Sequence, residues 1–96
     1  MITSKQRAHL RGLANSMDTI LQVGKNGIGD ELITQVNDAL KARELIKLRV
    51  LETSPVLARE AAQLIAEKTK CDIVQVIGTR FVLFKRNPQN PKVTLK

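Results

Sequence analysis

LQVGKNGIGDELITQV, residues 21–36, places three of the chain's five glycines within six positions, between an apolar run and an amphipathic one. Ahead of the glycines, residues 19–23 predict a short strand. Behind them, Leu32, Ile33, Val36, Ala39 and Leu40 recur at i, i+4, i+7 and i+8, the spacing of a helix that buries one side. Asp30 and Glu31 suit the positive end of that helix's dipole, Gly29 is the expected N-cap, and Ile28 is placed to staple onto Ile33. A loop this tight, with Lys25 at its tip, either makes a turn or holds something by its backbone.

Outward from this stretch the periodicities are clear. Residues 3–15 read as a helix with Thr3 as N-cap. Leu10, Leu13, Ala14 and Met17 form its apolar face, and Arg7 and Arg11, four apart, form a basic stripe beside it. Residues 45–51 change to period two, with Ile46, Leu48 and Val50 on one face and Lys47 and Arg49 on the other, a half-buried strand with a basic outer side. Ser54-Pro55 predicts the start of a third helix, whose core stripe is Leu57, Ala61, Leu64 and Ile65 and whose end lies near Thr69. Residues 72–77 and 81–86 are β-rich runs joined by Gly78-Thr79-Arg80, a hairpin spacing.

The expected order is α-β-α-β-α-β-β, an α/β (α+β) fold in which a four-stranded mixed sheet is packed with helices on at least one face. The chain of 96 residues is short enough for a single domain, placed at residues 1–86. The remaining NPQNPKVTLK, residues 87–96, holds two of the three prolines and little that packs, so an extended tail is expected.

Sixteen Lys and Arg against nine Asp and Glu give a formal net charge of +7. On so small a domain that balance attracts polyanions, and it makes nucleic acid the leading partner class. Phe81 and Phe84 are the only aromatic residues, too few for a surface that stacks several splayed bases. Core or sheet packing is the expected place for both. No segment is apolar and long enough to span a bilayer, and no spacing typical of a helix-turn-helix appears. One cysteine, Cys71, excludes an internal disulfide, and residues 1–13 lack the apolar centre of a signal peptide, so a reducing cytoplasm is expected.

Catalysis finds little support. His9 and Cys71 are each alone of their kind, so a tetrahedral His/Cys metal site has no ligand set, and no cofactor is expected. Cys71 opens an apolar strand while His9 sits in a basic helix, an unpromising nucleophile pair. The carboxylate pairs Asp30 with Glu31 and Glu60 with Glu67 read as helix-start and solvent-face charges.

The glycine loop runs G-x-x-G-x-G, the reverse of a dinucleotide fingerprint, and Asp30 and Glu31 stand where a P-loop needs Lys and Ser or Thr. What remains is G-x-x-G between a strand and a helix N-terminus. Glycines without Cβ let a phosphodiester backbone approach, Lys25 supplies charge, and amides point outward, which is the physical logic of the clamp in KH domains. Plain turn chemistry fits the same spacing.

VGKNGI, then RELIKLRV about fifteen residues on, then DIVQVIGTRFVLFKR, together resemble the CRM domain family, named for chloroplast RNA splicing and ribosome maturation, and in particular its stand-alone bacterial members. The resemblance covers roughly residues 3–86 with motif order and spacing kept. It implies a fold similar to the C-terminal domain of translation initiation factor three, RNA binding through the G-x-x-G loop, and association with precursors of the large ribosomal subunit. Residue by residue the loop falls on Gly24, Lys25, Asn26 and Gly27, all matching. The chain departs from the family's pattern at Gly29, where a capping Ser or Thr is common, and at Phe84, where Tyr is usual.

The reading is thus a non-catalytic RNA-binding protein with Gly24, Lys25, Asn26, Gly27, Arg7, Arg11 and Arg80 as its site, and with structured ribosomal RNA as partner. Lys47, Arg49, Lys85 and Arg86 extend the basic surface or not according to strand order, which local pattern leaves open. The competing reading is a protein-interaction module of a ribonucleoprotein assembly, its charge incidental.

Overall fold

The computed structural model describes residues 2–95. Its elements follow the expected order: α1 Ser4–Ala14, β1 Leu21–Val23, α2 Asp30–Arg43, β2 Leu45–Val50, α3 Ala58–Thr69, β3 Asp72–Ile77 and β4 Arg80–Phe84. They build one four-stranded sheet ordered β1-β2-β4-β3. The α2 crossover makes β1 parallel to β2, while β4 runs antiparallel to both of its neighbours.

Strand alternation divides the core in two. Ile46, Leu48, Phe81 and Leu83 face α2 and α3, where Val36, Leu40, Ala61 and Ile65 meet them. Leu45, Val74, Val82 and Phe84 face the other way and pack with Leu10 and Ala14 of α1. The register agrees, since Leu45 opposes Phe84 and Leu48 opposes Phe81. Helices therefore cover both faces. Both phenylalanines are 1% exposed, core residues as their composition suggested. At α1, Thr3 accepts from the Gln6 amide and the Gln6 side chain accepts from the Thr3 amide, a complete capping box.

The start of α3 differs from expectation. Ser54 is not its cap, because the Ser54 hydroxyl is engaged with Val56: it accepts from the Val56 amide at 3.1 Å and donates to the Val56 carbonyl at 2.8 Å. That local turn, favoured by serine and the following proline, delays the helix to Ala58 with Leu57 as N-cap. The Leu57 amide then donates to Glu60 Oε1, half of a capping box. Leu57, at the cap, is 73% exposed and Leu64 is 39% exposed, and the buried stripe is Ala58, Ala61, Ala62, Ile65 and Thr69.

The tail departs from expectation only in its packing. It forms no helix or strand, yet Val93 and Leu95 pack on the α1 side of the core. The anchor is Glu44, fully buried at the end of α2 with φ of 64°. Its carboxylate accepts from the backbone amides of Asn87, Lys92 and Val93 at 2.6, 2.6 and 2.8 Å and from Arg86 Nη1 at 3.0 Å. Burial works to raise the Glu44 pKa, but the three backbone donors and the Arg86 guanidinium outweigh it and hold the carboxyl below its ordinary value. A buried carboxylate needs donors, and the tail's amides supply them.

Candidate nucleic-acid interface

The Gly27 amide donates to the Gly24 carbonyl at 3.0 Å, closing a tight turn between β1 and α2. Gly27 takes φ of +65°, a left-handed conformation that side chains resist, and a Cβ there would stand 3.1 Å from Pro55 Cγ. The turn and its seat on Pro55 therefore account for Gly27. Gly24 is different: a Cβ would meet Leu51 and Thr53 side-chain atoms only at 3.8 and 4.0 Å, ordinary contact distance. Neither packing nor a left-handed backbone requires glycine there.

Lys25 and Asn26 project from the tip, both exposed, and among the described residues neither side chain has a hydrogen-bond or ion-pair partner. The loop borders an open cleft of about 590 Å³, shared with Gln22, Gln35 and Thr53. Asp30 and Glu31 also line it, and Gly29 offers no side-chain cap to the helix. With two carboxylates in the first turn, an anion is favoured at the loop rather than over the α2 N-terminus.

Sheet order fixes what the basic surface contains. Because β1 and β2 are parallel and β4 is antiparallel, the glycine loop, the end of β2 and the start of β4 lie at one end of the sheet. Arg80 is exposed at that end and directly opposes Arg49. Asn15, just past α1, borders the same region with Lys47 and Gln75. Arg11 stands one turn before Asn15, its carbonyl accepting from the Asn15 amide at 3.2 Å. Arg7 is set apart from the loop, with Nε donating to the Ile73 carbonyl at 3.2 Å near the start of β3.

Lys47, Lys85 and Arg86 serve the fold. Lys47 Nζ donates to the Met17 carbonyl at 3.2 Å, and Lys85 Nζ to the Thr69 carbonyl at 2.7 Å. Arg86 joins Glu44 and lies 5.5 Å from the Phe84 ring centroid. Of these strand and hairpin cations, Arg49 and Arg80 alone have no hydrogen-bond or ion-pair partner among the described residues. Local pattern alone does not assign Arg49, because its significance depends on which strand lies beside it. Its outward phase was legible, but its pairing with Arg80 was not.

His9 Nε2 donates to the Thr94 carbonyl at 3.0 Å, so the lone histidine helps seat the tail. Burial, the largest influence on Cys71, pushes its thiol pKa up and disfavours the nucleophilic thiolate. Among the described residues no group of three His, Cys, Asp or Glu side chains is placed to hold a metal ion, and no helix is long and apolar enough to cross a membrane.

The chain resembles known proteins along nearly its whole length. The chain is 38% identical over 95 residues to "Probable RNA-binding protein YqeI" of Bacillus subtilis (strain 168), spanning 99% of each chain. It is 30% identical over 84 residues to an "RNA-binding protein" of Haemophilus influenzae, spanning 88% of this chain and 85% of that one. The solution structure of SAV1595 from Staphylococcus aureus, described as a candidate RNA binding protein, superposes with a TM-score of 0.83 at 40% identity over the whole of both chains. A family model for the CRS1 / YhbY (CRM) domain matches residues 2–85, so the resemblance carried by VGKNGI and RELIKLRV holds, and the chain belongs to that family.

Proposed function

We propose that this protein is a non-catalytic, cytoplasmic RNA-binding protein that associates with precursors of the large ribosomal subunit and assists their assembly by holding structured ribosomal RNA. The observation that carries the reading is the contrast within the loop. Gly27 is accounted for by the turn, whereas Gly24, Lys25 and Asn26 present a glycine that neither packing nor backbone requires, a free ammonium and a free amide beside one cleft. Gly24 admits close approach of a phosphodiester, Lys25 neutralises it, and Asn26 hydrogen-bonds to phosphate or a 2′-hydroxyl. Arg80 and Arg11 widen the electrostatic footprint, and Arg7 adds charge farther along α1. The names of the relatives in Bacillus and Haemophilus support RNA as the partner class.

Ultraviolet crosslinking in growing cells, followed by sequencing of the attached RNA, tests the assignment. Crosslinks concentrated at one place in large-subunit precursor RNA are expected; scattered crosslinks would reduce the protein to a non-specific basic binder. In vitro, neutralising about four to six phosphates gives a slope of log affinity against log salt of roughly −3 to −5. Replacing Lys25-Asn26 by Asp-Asp is expected to weaken RNA binding at least tenfold and to leave thermal unfolding nearly unchanged. The competing protein-interaction module has one observation in its favour, the exposed Leu57. It predicts ribosome association that survives both high salt and the loop change.

A further inference from the structure

The unpartnered arginines form part of a larger feature. Gln22 pairs with Arg49, Arg49 with Arg80, and Arg80 with Ile77, so one register row crosses all four strands. Register partners project from the same side of a sheet, here the side against which α1 packs. α1 covers Leu45, Val74, Val82 and Phe84 but leaves this row open, and all four of its residues are exposed.

Such a row is unfavourable for the isolated fold. Like charges directly opposite on neighbouring strands destabilise a sheet. The one ion pair among the described residues is Arg86 with Glu44, so no carboxylate there relieves Arg49 and Arg80. The row ends at Gln22, and Gly24 follows two residues later, about 7 Å along the chain. An anion that touches the loop is therefore within reach of the arginines.

We propose that Gln22, Arg49 and Arg80 form a second phosphate-contact surface, continuous with the glycine loop, that grips the sugar-phosphate backbone of a double-helical RNA segment. This rests on the reading of the loop as an RNA clamp. The two guanidiniums present forked donors matched to phosphate oxygens, and the Gln22 amide can hydrogen-bond to a 2′-hydroxyl. The duplex form follows from what the surface lacks. Phe81 and Phe84, the chain's only aromatic residues, are buried at 1% exposure each, so splayed bases find no ring to stack on. A duplex keeps its bases stacked on one another and offers backbone across a wide, shallow minor groove.

The test measures binding of the full chain to a probe RNA duplex of about 16 base pairs, the span of a typical duplex-binding domain, and to a single strand and a DNA duplex of the same length. The Arg49→Gln/Arg80→Gln variant is expected to lose at least tenfold in affinity for the RNA duplex. Its salt slope becomes shallower by about 2, one unit for each lost phosphate contact. Its melting temperature stays level or rises, because a like-charge pair is gone. Arg49→Lys/Arg80→Lys keeps the charge but not the forked donors, so its salt slope stays near that of the unaltered protein while its affinity falls less than that of the glutamine variant. Unchanged binding by the glutamine variant, alongside a loss on changing Lys25-Asn26, overturns the row while leaving the loop reading intact. A melting temperature that falls together with binding in both the lysine and the glutamine variants assigns the row to packing and also overturns it. Single-stranded RNA or duplex DNA bound as tightly as duplex RNA overturns the double-helical RNA assignment, and no RNA binding by the unaltered protein removes the loop reading itself.

Discussion

The cations of β2, β4 and the chain just after β4 are treated differently at the two ends of the sheet. At the end where α2 meets the tail, Glu44, Arg86 and Lys85 are bound into the fold, and three tail amides converge on one carboxylate. At the glycine-loop end, Lys25, Arg49 and Arg80 have no such partners among the described residues. A net charge of +7 is thus not one undifferentiated surface. Part of it holds the molecule together and part has no partner among the described residues, so, if the proposed function is right, stability and binding should separate under mutation according to the end that is altered.

The largest stability effect is expected from Glu44→Ala. Removing the carboxylate leaves three backbone donors without an acceptor, each a desolvation penalty of about 1 to 3 kcal/mol. The loss is limited because the tail can release and hydrate those amides, so about 2 to 4 kcal/mol is expected. For a domain of this size that lowers the melting temperature by about 10 °C or more. RNA affinity of the molecules that remain folded should be unchanged. A variant that melts normally but binds weakly would erase the distinction between the ends.

Acid provides a milder version of the same test. The Glu44 pKa is lowered on folding, so the unfolded chain takes up the proton first as pH falls. Its contribution is full above the ordinary glutamate value of 4.5 and declines as pH drops through the lower folded value. Melting curves from pH 7 down to pH 3 should therefore show a loss of stability that Glu44→Gln reduces. Equal acid sensitivity in both proteins would place the effect in other carboxylates.

Sequence pattern exposed the glycine-loop end far better than the tail end. The loop, Gly29 as N-cap and the Thr3 cap are signals carried within a few residues, and the alternation of Lys47 with Arg49 set them opposite Ile46 and Leu48, although α1 covers that side and only Arg49 is exposed. Sheet order is different in kind. It rests on contacts between residues distant in the chain, so Arg49 became informative only when Arg80 was found opposite it. Ser54-Pro55 misled because a serine hydroxyl serves a short turn as readily as a helix cap, and here it serves Val56. Glu44 carried no local mark at all. Charged residues are ordinarily exposed, and the amides that make its burial tolerable lie more than forty residues away.

The finest comparison lies inside the loop, between its two family glycines. Gly27→Ala must place a side chain at φ of +65° and against Pro55, so a loss of about 1 to 2 kcal/mol is expected from the left-handed backbone alone. Gly24→Ala meets no such obstacle. It restricts the unfolded chain and leaves the folded one unstrained, so its effect on stability is small and can be favourable, within about 1 kcal/mol. If Gly24 admits a phosphodiester, the added methyl nevertheless weakens RNA binding, and denaturant unfolding set beside RNA titration will show the two effects diverging. If Gly24→Ala binds RNA as the unaltered protein does, close approach at Gly24 is excluded, and the loop acts through Lys25 and Asn26 with glycine required only where the chain turns.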